Sequence, residues 1–211
     1  MRITKYEHAC FTVEIAGEVL VIDPGAFTSP LFDLTNVTAI VITHEHQDHW
    51  TPDQLTRILS KNPDARLFGA AGVAAAATDF DFTVVHGGDA ETVGAFTLAF
   101  YGDEHAVIHS SIPVIDNVGV LINDTVFYPG DAFTVPPVAV DTLAVPSSAP
   151  WLKVAEVMDY VAAVKPKRAF PTHEMVNSVI GKNMTNERIA SVLEANGGTF
   201  HPLETNETLE I

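Results

Sequence analysis

Val41-Ile42-Thr43-His44-Glu45-His46-Gln47-Asp48-His49 decides the reading of this chain, because three imidazoles and a carboxylate fall within six residues. The preceding Thr38-Ala39-Ile40-Val41-Ile42 reads as a buried strand. Thr51-Pro52-Asp53-Gln54 reads as a helix start, with Thr51 as N-cap, Pro52 at the first helical position and Gln54 completing a capping box. The histidines therefore occupy a strand-to-helix turn. In a near-extended backbone, residues two apart face the same way, so His44 and His46 share one metal ion while Asp48 and His49, beyond the bend, aim at a second. A polar turn rarely reaches this density of histidine by composition alone. Further ligand-type residues follow other predicted strands, Gly130-Asp131 after Val126-Phe127-Tyr128 and His173 after Arg168-Ala169-Phe170-Pro171-Thr172. Strand ends are where open sheets build their sites.

The run His44-x-His46-x-Asp48-His49 resembles the signature of the metallo-β-lactamase fold superfamily of metal-dependent hydrolases. The resemblance extends upstream to Ile22-Asp23-Pro24-Gly25 and downstream to Gly130-Asp131 and His173, nearly the whole chain. Tyr6-Glu7-His8-Ala9-Cys10, ahead of a β-rich segment, is similar to the small, lactonase-like and uncharacterised branch.

At 211 residues and 47% hydrophobic content, the chain is expected to bury one core as a single domain over residues 1–211. No stretch approaches 18 uninterrupted apolar residues, and Met1–Lys5 leads into strand patterns without a signal-peptide apolar region. A cytoplasmic location with no membrane partner is the resulting expectation. The formal charge of −16 and the lack of a basic run argue against nucleic acid as a partner, since phosphate backbones are held by clustered Lys and Arg. Cys10 is the single cysteine and is expected to be a buried core thiol, with metal ligation as the rival reading. His86, before two glycines, reads as a turn residue and His201, before Pro202, as a strand-end residue.

Periodicity places strands near Arg2–Tyr6, Cys10–Ile15, Glu18–Asp23, Arg66–Gly69, Phe82–His86, Ala90–Val93, Ala95–Tyr101, Val118–Ile122, Thr125–Tyr128 and Thr142–Val145. Helices are expected over Pro52–Ser60, Ala71–Thr78, Trp151–Val164 and about Thr185–Ala195, with a strand on either side of the last. Two β-rich halves that each carry helices fit an α+β, four-layer αββα sandwich, which the family resemblance also implies.

By resemblance, His44, His46 and a third histidine hold one ion, Asp48, His49 and His173 hold the other, and Asp131 bridges them. The third histidine is taken as His105, the first after the strand ending at Tyr101. His109 is the alternative, and otherwise lies in a loop suited to substrate contact. An early histidine near the metal loop is implied at His8, to orient a ligand or touch substrate. Asp23 is expected to accept a hydrogen bond from a ligand imidazole. Two divalent ions, zinc or alternatively manganese, are implied, because oxygen-reducing diiron relatives carry glutamate where this chain has His46.

Such a pair acidifies a shared water, so the chain is expected to be a metal-dependent hydrolase using a bridging hydroxide on an ester, lactone or phosphoester of a small molecule, with Asp48 able to relay the proton. A redox diiron protein of the same fold and a non-catalytic metal- or ligand-binding module are the competing readings. Substrate identity and oligomeric state are not legible.

Overall fold

The computed structural model describes residues 1–211. Two kinds of strand pairing build it. In the first sheet, β1 (Arg2–Lys5), β2 (Phe11–Ile15) and β3 (Glu18–Ile22) are antiparallel neighbours. Ala16 and Gly17, both at positive φ, close the two-residue turn that pairs Ile15 with Glu18 and matches the twist of the flanking strands. β4 (Val37–Ile42), β5 (Arg66–Gly69) and β6 (Phe82–Val84) then add in parallel. Parallel pairing needs crossovers, which α1 (Pro52–Lys61) and α2 (Ala71–Ala76) supply after β4 and β5.

The second sheet repeats the scheme. β7 (Ala90–Val93), β8 (Phe96–Tyr101), β9 (Gly119–Ile122) and β10 (Val126–Tyr128) pair antiparallel. β11 (Thr142–Pro146), β12 (Arg168–Thr172) and β13 (Thr199–Phe200) follow in parallel, with α3 (Val154–Val164) and α4 (Val179–Ala195) as crossovers. The last strand, β14 (Thr208–Glu210), returns to the first sheet beside β1. The orders are β14-β1-β2-β3-β4-β5-β6 and β13-β12-β11-β10-β9-β8-β7, seven strands each.

The chain has the metallo-β-lactamase fold, with helices outside two facing sheets. Leu55 and Ile58 of α1 join the core that both sheets share, while Val157, Tyr160 and Val161 of α3 and Ile189 and Leu193 of α4 bury against the outer face of β10–β12. β11 is buried along its full length, as expected of a parallel strand covered on both faces. Phe11 stands edge-on to Tyr128 at 5.5 Å and to Phe170 at 5.4 Å, bridging the sheets. Each such pair contributes about 0.5–1.5 kcal/mol beyond its burial. The same contacts align the carboxyl ends of β3 and β4 with those of β10, β11 and β12, so their following loops meet along one edge.

Several local expectations are corrected. Thr51 caps α1 by accepting from the Gln54 N–H at 3.2 Å, but the Gln54 side chain does not close a capping box. It is buried instead, accepting from Leu31 N and donating to the carbonyls of Thr28 and Ser29, so it fastens the loop after β3 to α1. α4 starts at Val179 behind the Ser178 cap, ahead of the expected Thr185. α3 starts at Val154, which leaves Trp151 in the preceding loop. The tail carries two short strands, β13 and β14, where one was expected. Cys10 is buried and unpaired, and burial pushes its thiol pKa up. No helix is long and apolar enough to cross a membrane.

Candidate metal centre

Each strand end delivers a side chain to the same place. Thr43 and His44 follow β4, Asp23 follows β3, Asp131 lies just beyond β10, Ser147 and Ser148 follow β11, and His173 follows β12. Two glycines let these loops close. A Cβ on Gly25 would stand 1.8 Å from the Asp48 carbonyl oxygen, so Ile22-Asp23-Pro24-Gly25 packs directly on the histidine loop only because its last residue has no side chain. Gly130 has φ +66°, and a Cβ there would meet Asn117 Oδ1 at 2.3 Å and Thr43 Cβ at 2.8 Å.

Three groups of donor atoms result, each with its atoms within 4.8 Å of one another: His44, His46 and His105; Asp48, His49 and His173 with His8; and His44, His49 and Asp131. His44 Nε2 and His46 Nδ1 are 3.1 Å apart, and the His105 ring lies 4.9 Å from both rings. Asp131 lies between the groups, with Oδ1 3.4 Å from His49 Nε2 and Oδ2 3.5 Å from His105 Nε2 and 3.1 Å from His173 Nε2. Of the two candidates after β8, the structure brings His105 into the cluster. His109 is exposed, its Nδ1 engaged by Ser111 Oγ at 2.7 Å and N at 3.1 Å.

The imidazoles are fixed in one tautomer by what their Nδ1 atoms face. His105 Nδ1 is 2.5 Å from the Ala106 carbonyl oxygen, His173 Nδ1 2.6 Å from the Ser148 carbonyl oxygen, and His49 Nδ1 2.7 Å from Asp23 Oδ2. These partners only accept, so Nδ1 carries a proton in each ring and Nε2 faces the cluster, with a lone pair whenever the ring is neutral. Asp23 also reaches His44 through a relay: its carboxylate accepts from Thr43 N at 2.8 Å and Thr43 Oγ1 at 2.7 Å, and Oγ1 in turn accepts from His44 Nδ1 at 3.0 Å. Nε2 of His49, His105 and His173 and Oδ1 of Asp131 are buried without a hydrogen-bond partner. Buried polar atoms are seldom orphaned, and four converging on one point form a donor set that fits divalent cations.

His8 differs from the other rings. Its Nε2 lies 3.0 Å from Asp48 Oδ2, while its Nδ1 is buried with no partner. Burial lowers its pKa to about 4, against the opposing pull of Asp48, so the neutral ring donates from Nε2 and steadies the Asp48 carboxylate. Its ring also packs against that of His173, the centroids 3.9 Å apart and the planes tilted by 48°. His8 and His173 both have left-handed backbone, φ 61° and 62°, and His173 N donates to the His8 carbonyl at 3.0 Å. A buried ion pair holds this pairing: Lys5 Nζ donates to His8 O at 2.8 Å and to Glu174 Oε1 at 3.2 Å, and the same oxygen accepts from His8 N at 3.1 Å.

Charge is divided unevenly. Burial lowers the pKa of His44 and His46, with neighbouring imidazoles adding to the effect. His173 moves the other way: burial opposes its charge, but Asp131 and Asp48 raise its pKa to about 10. Asp131 is held well below the usual carboxylate range, since the pull of His173 and His49 outweighs its burial.

Sequence reasoning missed Thr43, Asn117, Trp151, Lys5 and Glu174. Asn117 Oδ1 accepts from Asp131 N at 3.0 Å, and Trp151 Nε1 donates to Asp131 Oδ2 at 2.8 Å. Lone polar residues carry no spacing signal, and each acts on a partner far along the chain.

The family described as beta-lactamase superfamily domain matches residues 2–173. Protein Rv0786c of Mycobacterium tuberculosis is 39% identical over 181 residues, covering 83% of this chain and 85% of that protein. Among solved structures, Igni18, a metallo hydrolase from Ignicoccus hospitalis, superposes with a TM-score of 0.76 at 19% identity, covering 100% of this chain and 98% of that one. CmlA, a diiron beta-hydroxylase from Streptomyces venezuelae, superposes with a TM-score of 0.70 at 16% identity, covering 100% of this chain and 54% of its own. These likenesses are of fold.

Proposed function

Because the chain belongs to the beta-lactamase superfamily and has the metallo-β-lactamase fold, we propose that it is a metal-dependent hydrolase of a small ester-type substrate, acting as a single cytoplasmic domain. His44, His46 and His105 would hold one divalent ion, Asp48, His49 and His173 a second, and Asp131 would stand between them. One observation carries the reading: tautomer-locked imidazoles converge on a buried carboxylate whose Oδ1 has no partner. Zinc or manganese suits an imidazole and carboxylate set, and His46 stands where redox diiron relatives, by resemblance, carry glutamate.

When bound, such ions supply Lewis-acid polarisation of a substrate oxygen and acidify a water. The protein's own groups do the rest. Asp48, partly exposed and steadied by His8, is the group that takes and passes a proton. Trp151 keeps the Asp131 carboxylate from turning, Asn117 holds the Asp131 backbone N–H, and Asp23 sets the rings of His49 directly and His44 through Thr43. Pre-set geometry of this kind removes reorganisation from the reaction step.

The test is elemental analysis of zinc- or manganese-reconstituted protein, followed by assay on matched carboxylic esters, lactones and phosphodiesters. We expect about two ions per chain, hydrolysis that stops on chelation and returns with metal, and loss with His105→Ala but not with His109→Ala. Activity restored by iron alone, with oxygen consumed, would replace hydrolysis with the redox reading.

A further inference from the structure

Fourteen large apolar side chains are exposed on this protein, and thirteen of them lie on the five segments that follow β3, β8, β10, β11 and β12, counting the first two turns of the helix that a segment opens. Only Val84, in β6, is elsewhere. These are the segments that carry Asp23, His105, Asp131, Trp151 and His173. Scattered exposed apolar residues need no explanation, but a patch gathered at one edge marks a binding surface. Phe27 stands edge-on to the His8 ring at 4.8 Å. Val107 is two residues beyond His105 and 63% exposed; Met175 is two beyond His173 and 51% exposed.

The charged residues complete the picture. Nine of the eleven Lys and Arg residues are ion-paired, and the other two, Lys165 and Arg188, lie at the end of α3 and in the third turn of α4. On the five segments the only cations are Lys153 and Lys182, held by Glu156 and Glu204. Arg188 lines a cavity with Val154 and Met184 at the α4 end of the rim; elsewhere on the five segments a phosphate or carboxylate group on the substrate would meet aliphatic side chains, paired lysines and a surface of formal charge −16.

We infer that the substrate is an uncharged ester carrying an extended apolar group, which lies across this rim while its carbonyl enters the histidine cluster. The inference rests on the hydrolase reading and narrows it: phosphoesters are disfavoured, and Phe27, Val107, Val135 and Met175 set the preference.

The test separates binding from turnover. Metal-free protein is titrated with straight-chain primary alcohols of rising length, followed by tryptophan fluorescence, since Trp151 touches both Asp131 and Phe133. We expect Kd to fall about fourfold per added methylene. Val107→Asp and Met175→Asp should flatten that trend, and Val84→Asp should not. In a second arm, metal-loaded protein is assayed on p-nitrophenyl esters of the same lengths and on bis(p-nitrophenyl) phosphate. Here kcat/KM should rise with ester length and stay low for the phosphodiester. A Kd independent of length, a trend untouched by both rim variants, or preference for the phosphodiester would overturn the inference. Tightening with length but no turnover with any metal would refute the hydrolase reading and leave the apolar-ligand assignment standing. Concentration-dependent self-association abolished by Met175→Asp would instead make the rim an interface between copies and overturn the inference.

Discussion

The two ends of the histidine cluster solve the same packing problem with different charge. At one end His44, His46 and His105 are grouped with no carboxylate among them, and burial lowers the pKa of the first two. At the other, Asp48 and Asp131 press on His173, raise its pKa to about 10, and keep a proton on its ring. The imidazole end is thus neutral and ready to donate lone pairs, whereas the carboxylate end carries a proton where a cation would otherwise sit. The backbone differs as well. Each end takes two ligands from the loop after β4, His44 and His46 or Asp48 and His49, and a third from a distant strand end, His105 or His173; only the carboxylate end adds His8, from the turn after β1 that Lys5 and Glu174 fasten. The difference teaches that one loop serves both ends, and that the long-range buried anchor of Lys5 and Glu174 belongs to the carboxylate end.

The largest effect should come from the residue that joins the ends. Asp131→Asn removes the charge that faces His49, His105 and His173 together. Activity of the reconstituted protein is expected to fall more than about 100-fold, beyond the roughly 10–100-fold typical of a residue that only orients a ligand. Metal content measured after dialysis should drop at both ends; retention of a full complement would mean that Asp131 does not couple them. A smaller effect should separate the ends. Asp23→Asn disturbs His49 directly and His44 through Thr43, so metal affinity at both should weaken by about 10–100-fold. Thr43→Val cuts the relay to His44 and leaves the Asp23–His49 bond in place, so only the imidazole end should weaken. Chelator competition resolves the two ions, and an equal loss at both ends with Thr43→Val would break the comparison.

How much of this was legible in the sequence follows from what is local. The loop that serves both ends was read from the density of histidine before a helix start, and Asp131 and His173 from their places after apolar strands. The strands of both parallel runs were readable from their apolar periods, but their parallel pairing was not read. Gly25 was visible as a letter in Ile22-Asp23-Pro24-Gly25, but the 1.8 Å approach that demands it exists only once the loops are packed. Lys5 and Glu174 lie 169 residues apart, and a lone lysine in a strand gives no sign that its ammonium will be buried. The start of α4 was misplaced for a related reason. Its first turns, Val179, Ile180 and Met184, expose their apolar side chains, so they lack the one-sided pattern that marks a helix against a core. The misreading falls on the rim that the substrate inference assigns to an apolar ligand, where function and not packing selects the residue.

The smallest expected effect is a pH dependence that belongs to one end only. A ligand must lose its proton to bind metal, so affinity rises with pH up to the pKa of that ligand and then levels. Against its burial, Asp131 and Asp48 push the His173 pKa up to about 10, so affinity at the carboxylate end should climb by up to about tenfold per pH unit across neutral and mildly alkaline pH. At the imidazole end His44 and His46 are lowered below their ordinary value, and affinity above pH 7 should be flat. The metal-free fold should respond in the opposite sense. A histidine whose pKa is raised on folding contributes stability that is fully present below its unfolded value near 6.5 and is lost as pH climbs through about 10. His8, lowered to about 4, takes stability away as pH falls from about 6.5 towards 4. Thermal unfolding of the stripped protein should therefore weaken on the alkaline side through His173, and metal should restore most of the loss there, because it replaces the departing proton. Parallel pH slopes for the two ions, or a stripped protein whose Tm does not fall between pH 7 and pH 10, would show that the proton on His173 is not what distinguishes the two ends.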